Sequence, residues 1–353
     1  MSSEIIFFSV FVILIVGMLL LDLLLIGRKS HEVSAKEATI WSTVWIMLSL
    51  LFAVFLRYHA ELVHGIENAE DLKQVIDKYS SHLVIDYGNF EESLTIFRKT
   101  TTINYLSGYL IEKSLSVDNL FVIMAILSAF SVKKIYYKQI LFWGILGAIV
   151  MRFLFIFAGA TLVNRFEWLL YIFGAYLIYA GTKMYLERNK EVKIEPQNHP
   201  LVKFLSKRMN VLGRYVKGHF FIVKDHKLFL TPLFVVLVII EFTDLIFAMD
   251  SIPAIFAITR DPYIVFFSNI FAILGLRSLF FLLIKVVEKF YLLKAGISLL
   301  LVYVGLKLLL HEWLEHLGFK PEYSLYIILG VLTFSIVFSL LFPKHKEEIT
   351  MEG

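Results

Sequence analysis

Two stretches of this chain place acidic side chains where almost everything else is apolar. One is GYLIEKSLSVDNLFV, with Glu112 and Asp118; the other is VVLVIIEFTDLIFAMDSIPAIF, with Glu241, Asp244 and Asp250. Each lies near the middle of a run long enough to cross a bilayer. An ionised side chain at the centre of a bilayer costs roughly 2.5–3.5 kcal/mol even on lenient insertion scales. Such a cost needs a cation, a proton or an arginine to offset it. The pattern therefore points to a cation site inside a membrane protein.

The ligands on offer are all oxygens. Asn119, Ser114 and Ser116 surround Asp118, and Ser251 follows Asp250. Oxygen sets suit Mg²⁺, Ca²⁺ and Mn²⁺, whereas Zn²⁺ and Cu⁺ sites draw on His and Cys. The chain has no cysteine, and its ten histidines lie mostly in loops and tails. Arg152 and Arg277 each fall inside an apolar run. They are counter-ions of the site or, equally, packing partners. A blander reading stays open: the buried acids serve only as ion pairs with these arginines and hold helices together. Asp22 lies near one end of the first apolar run and suits an interfacial position better than a ligand's. Lys113, beside Glu112, is a candidate for neutralising it.

Helical geometry complicates the second stretch. Glu241 and Asp244 are three residues apart and share a helix face. Asp250 is six residues on, roughly 120° around an ideal helix. Pro253 removes the N–H that would bond the carbonyl of Met249. The expectation is a kink or break near Asp250, freeing carbonyl oxygens beside the carboxylate.

The elements that must position these residues are membrane spans. Of 353 residues, 58% are apolar and 16% aromatic, and the mean hydropathy is +0.75. That is an all-α polytopic membrane protein of about nine transmembrane helices. The expected spans are about 5–26, 40–56, 103–130, 140–163, 168–186, 230–258, 263–287, 291–311 and 325–342. The first lacks a basic n-region and reads as a retained helix rather than a cleaved signal. Basic loops after the odd-numbered spans place the N-terminus outside and the C-terminus in the cytoplasm. The net charge of +4 sits in loops, so nucleic acid is not an expected partner; the bilayer is. Residues 57–100 read as an acidic, solvated extracytoplasmic segment holding a short helix and a folded loop. Residues 188–227 read as a basic cytoplasmic loop.

An internal repeat organises the middle. Glu112 and Asp118 align with Asp244 and Asp250, Arg152 with Arg277, and Tyr179-Ala-Gly181-Thr-Lys183 with Tyr303-Val-Gly305-Leu-Lys307. Three helices per copy make the two units inverted, with the site between them at the midplane. The expected division is 1–102 (two helices and the acidic segment), 103–187 (first repeat), 188–229 (basic loop), 230–312 (second repeat) and 313–353 (last helix and tail). There is no phosphate loop, no dinucleotide fingerprint, no HExxH and no nucleophile–base constellation. The expectation is a non-enzymatic protein without a prosthetic group.

These motifs, with LFWGILGAIVMRFLFIFAGATLV, YIFGAYLIYAGTKMYL and LLLDLLLIGRKSHEVSAKEATIWS, closely resemble the TerC family, most nearly its Alx-like members. The resemblance implies a multi-pass protein of the bacterial inner membrane, related to LysE-type exporters. It implies export of Mn²⁺ as substrate, with Glu112, Asp118, Glu241, Asp244 and Asp250 as the metal site. The expected mechanism is secondary-active alternating access in exchange for protons, since carboxylates can carry either ion or proton. The alternatives are a Ca²⁺ or Mg²⁺ transporter on the same ligands, and a non-transporting scaffold of the kind behind the family's tellurite-resistance label.

Overall fold

The structure is a computed structural model. It describes residues 3–27, 34–80, 83, 89–166, 168–188, 200–212, 214–216, 218–224, 227–286, 292–310, 313–314, 319 and 321–342. Two helices open the chain, α1 (Ser3–Gly27) and α2 (Ala35–His59). Ser34 starts the second by accepting from the Glu37 amide, 3.1 Å away, which satisfies one of the orphan N–H groups at a helix start. Next come α3 (Glu61–His64), α4 (Ala69–Tyr79) and the 40-residue α5 (Phe90–Ala129). A 3₁₀ turn leads into α6 (Tyr137–Arg165), followed by α7 (Leu169–Glu187) and α8 (Pro200–Arg208). Three strands follow: β1 (Asn210–Val211), β2 (Phe221–Lys224) and β3 (Lys227–Leu230). The last group is α9 (Pro232–Phe256), α10 (Pro262–Leu274), α11 (Leu276–Val286), α12 (Leu293–Leu309) and α13 (Pro321–Leu341).

Several of these helices are membrane-length and apolar. Among the described residues, five stretches could cross a bilayer by length and composition: 36–59, 134–162, 232–256, 262–282 and 323–341; 4–19 and 295–309 are shorter apolar helices. The buried core lies around α10, whose residues from Pro262 to Leu274 are buried with the single exception of Tyr263. Phe7, Phe8 and Phe11 of α1, Phe52 and Phe55 of α2, and Phe153 and Phe157 of α6 form one aromatic cluster against Tyr263, Phe266, Phe267 and Phe271.

Four expectations are corrected. First, α9 is continuous through Asp250 to Phe256, with Pro253 inside it. The proline falls in the last turn, where only the Met249 carbonyl loses its bond, so the helix keeps its course. The interruption is one helix later, at Gly275 between α10 and α11. Second, α5 begins at Phe90 rather than near 103. Asn89 caps it through the Glu92 amide at 3.3 Å, and Glu91 and Glu92 suit the positive end of the helix dipole. Third, the acidic segment is not merely solvated: Leu72 and Ile76 of α4 are buried in the main core. Fourth, the chain is not all helix. β3 pairs in parallel with β1 (Asn210 opposite Phe229) and antiparallel with β2 (Phe221 opposite Leu230), inside the segment expected to be a loop.

α7 and α12 pack backbone against backbone. A Cβ on Gly174 would stand 2.9 Å from the Gly305 carbonyl oxygen, and one on Gly305 would stand 2.6 Å from that of Gly174. Further along, a Cβ on Gly181 would stand 2.7 Å from the Ser298 carbonyl oxygen. Small residues let helix backbones touch inside a membrane, where packing replaces the hydrophobic driving force.

Candidate metal centre

Three helices bring the central residues together. Arg152 of α6 and Glu112 of α5 are both 0% exposed. Arg152 Nη1 donates to Glu112 Oε1. Its other edge grips Asp244 of α9, with Nη2 to Oδ1 at 3.1 Å and Nε to Oδ2 at 3.3 Å. A guanidinium presents a planar fork of donors that fits a carboxylate with two bonds. The acids of the two stretches, 132 positions apart in sequence, are thus joined through one arginine.

α6 reaches α9 because its facing residues are small. A Cβ on Gly144 would touch Ile240 at 3.5 Å, and one on Gly147 would collide with the carboxylate of Glu241. Glu241 and Asp244 therefore both turn toward α6, as their three-residue spacing predicts. Counted as ionised, Glu112, Glu241 and Asp244 carry three negative charges against the single positive charge of Arg152.

The flanking groups sort differently. Lys113 does not pair with Glu112; its Nζ donates to the Ala272 carbonyl at 3.1 Å, and a Cβ on Gly275 would lie 2.7 Å from that Nζ. Ser114 Oγ donates back to the Leu110 carbonyl at 2.6 Å. Asn119 is buried, and Arg277 is buried at the start of α11. Among the described residues, Glu112 Oε2, Ser116 Oγ and Ser251 Oγ are buried without a hydrogen-bond partner. Asp22, Asp118 and Asp250 lie on α1, α5 and α9, but their side chains fall outside the described residues. Among the described residues, no three His, Asp or Glu side chains form a group that could hold a metal ion.

A second buried charge cluster sits where α3 meets α1 and α10. His64 Nδ1 lies 3.0 Å from Glu4 Oε1, and Nε2 lies 2.7 Å from Asp261 Oδ2. With a carboxylate at each nitrogen, both nitrogens donate and the ring is an imidazolium. Burial would push the His64 pKa down, but Asp261 and then Glu4 outweigh it and hold it up at about 9. Asp261 also caps α10, its Oδ1 accepting from the Tyr263 amide at 2.9 Å. No local motif marks this cluster, because its members are 60 and 197 positions apart. Gly147 carries only a weak signal in the sequence, its short spacing from Gly144 on one helix.

Residues 97–347 match the family described as "Integral membrane protein TerC family". A Salmonella typhi protein named "Putative membrane-bound redox modulator Alx" is 42% identical over 340 residues, covering 96% of this chain and 95% of that one. The protein of the same name from Escherichia coli (strain K12) is 39% identical over 328 residues, covering 93% and 92%. A Myxococcus xanthus protein named "Uncharacterized membrane protein STKORF319" is 40% identical over 335 residues, covering 95% and 92%. No solved structure matches.

Proposed function

From the premise that the chain belongs to the TerC family of integral membrane proteins, we propose that it is a secondary-active exporter of a divalent cation, most readily Mn²⁺. One observation carries this reading: a fully buried arginine holds carboxylates from two different helices, with a third carboxylate close by. In the state described, the guanidinium occupies the place between the acids where a cation would be held. An entering divalent cation would compete with Arg152 for Glu112 and Asp244, and the net negative charge favours that exchange. Glu241 is placed to bind the ion or carry a proton back. Asp118, Asp250, Asn119, Ser116 and Ser251 complete the proposed ligand set, with Asp22, Arg152 and Arg277 as secondary members.

The family also suggests nine spans, two inverted repeats, the bacterial inner membrane and an outside N-terminus. The α7–α12 seam supports the inversion. In the sequence alignment of the repeats, Gly174 corresponds to Ser298 and Gly181 to Gly305. The Gly174–Gly305 and Gly181–Ser298 approaches are then one contact seen twice, as a twofold axis requires. The relatives' names speak of redox modulation. A thiol-based version of that has no cysteine to use here.

A second reading has its own support. Arg152 already neutralises two acids, and no metal-holding group forms among the described residues. That is what a scaffold with structural ion pairs would show. Metal flux in sealed vesicles containing purified protein decides between them. Mn²⁺, Ca²⁺, Mg²⁺ and Zn²⁺ are compared with and without a pH gradient, for wild type and Asp244→Asn. Gradient-dependent Mn²⁺ movement that needs Asp244 supports export. No flux of any ion by a well-folded protein rejects it.

A further inference from the structure

Asn269 is the least explained residue in the core. It is 0% exposed, and among the described residues neither its amide oxygen nor its amide nitrogen has a hydrogen-bond partner. Leaving a buried polar atom unpaired costs about 1–3 kcal/mol, so such groups in native folds usually answer to a water, an ion or a function.

The contacts of α10 fix where Asn269 points. Tyr263 and Phe266 meet Phe157 and Phe153 of α6. Phe267 meets Phe11 and Phe52, and Phe271 meets Phe52 and Tyr105, on α1, α2 and α5. Ser268 and Ala272 meet Gly108 and Lys113 of α5. At about 100° per residue, the sector left over belongs to Val265, Asn269 and Ile273, and it opens between α5 and α6. That is the side on which Glu112 and Arg152 meet.

The depth agrees. Phe157 pairs with Tyr263 and Phe153 with Phe266, so one turn further along, at Ile149, α6 is level with Asn269; Arg152 sits three residues short of that level, and its long side chain leans toward it because helix side chains tilt toward the N-terminus. On α5, Gly108 is level with Ser268 and Lys113 with Ala272, which brackets Glu112. α9 closes the space: Ile255 lies 3.1 Å from a Cβ placed on Gly108, and Ser251 is one turn away on the same face. Among the described residues, Asn269, Ser251 Oγ and Glu112 Oε2 are all unpartnered, and this register of the helices puts them at similar depth.

We propose that Asn269 is a cation-binding residue, its amide oxygen joining Ser251 and the free oxygen of Glu112 in an oxygen-only station for a divalent cation beside the Arg152-held acids. The inference rests on the export reading for its place in a cycle, but the station itself can be tested alone. An amide carbonyl is a hard, neutral ligand. It would bind an ion without adding the charge that would make release slow.

The absence of cysteine makes the chain its own background for labelling. Asn269→Cys is treated with a small charged thiol reagent, with Phe271→Cys as a buried control, with and without Mn²⁺. Flux is measured in parallel for wild type, Asn269→Leu and Asn269→Asp. The expected results are labelling at 269 well above 271, slowed by Mn²⁺, and a drop of about tenfold in flux for Asn269→Leu, the scale of one lost strong contact. Asn269→Leu removes an unpaired amide, so its melting midpoint should match or exceed wild type. If it misfolds, Asn269→Asp decides instead: retained flux with a lower half-saturating Mn²⁺ concentration supports the station, and unchanged half-saturation overturns it. Full flux in a folded Asn269→Leu overturns it whatever the labelling, and so does labelling at 269 that Mn²⁺ does not slow, which marks a water pocket. A wild type that moves no ion while Mn²⁺ still shields Asn269→Cys keeps the station and removes the export reading.

Discussion

His64 and Asp261 are 2.7 Å apart and 197 positions apart in sequence, and one carboxylate both holds the imidazolium and caps α10. The clasp therefore joins α3 to the start of the most buried helix. Its pH dependence has a definite sign. Asp261 and Glu4 outweigh burial and raise the His64 pKa from 6.5 to about 9. Below 6.5 the ring is protonated in both folded and unfolded chains, and the clasp contributes fully. Between 6.5 and about 9 the folded chain binds more protons, so stability falls as pH rises. The melting midpoint in detergent should drop across that window. His64→Gln should flatten the drop; an unchanged profile in that variant would exclude the clasp.

Removing Arg152 should be costly. Arg152→Gln leaves Glu112 and Asp244 buried without their cation, and breaking a buried pair in this way costs about 3–5 kcal/mol. Arg152→Lys should recover only part of that, since an ammonium lacks the two-pronged fork. Thermal unfolding of both variants, with the double variant Arg152→Gln/Asp244→Asn, checks the order: the double variant should be more stable than Arg152→Gln alone.

Gly147→Ala separates position from stability. The new methyl meets the flexible end of Glu241 rather than backbone, so the fold should change by less than about 1 kcal/mol. The carboxylate itself must move. Under the export reading, Mn²⁺ flux and its pH profile should shift while the melting midpoint stays put. An unchanged flux would remove Glu241 from the site.

Gly174→Ala and Gly305→Ala should each destabilise by about 1–3 kcal/mol, the range for overpacked contacts, because the new methyl meets a carbonyl. Gly330→Ala is the control, with nothing near its Cβ. It should be neutral or stabilise by up to about 1 kcal/mol through helix propensity. Equal effects at all three positions would contradict the close packing.

Much of the frame could be read from the residues. The apolar runs produce helices close to their expected positions, and the pairing of Glu112 with Asp244 through Arg152 follows the logic of a buried charge needing a counter-charge. Other features were not legible. Residues 90–102 are polar and read as loop, yet a capping asparagine and two early acids carry α5 through them. Pro253 looked like the breaker, but position within the helix decides what a proline does, and it falls in the last turn. The strands are four residues or fewer, too short for alternation to register. His64 and Asn269 became visible only through long-range packing, although a lone amide in the apolar run Pro262–Leu274 was a usable hint.

The glycine seam between α7 and α12 has a mechanical consequence. Where two backbones touch directly, there is no cushion of side chains to shear, and sliding one helix past the other would drive carbonyls into neighbouring turns. The contact tolerates rotation far better than translation. If the halves of this molecule change their relative tilt, the seam is the fulcrum, and the largest displacements fall on the residues farthest from it.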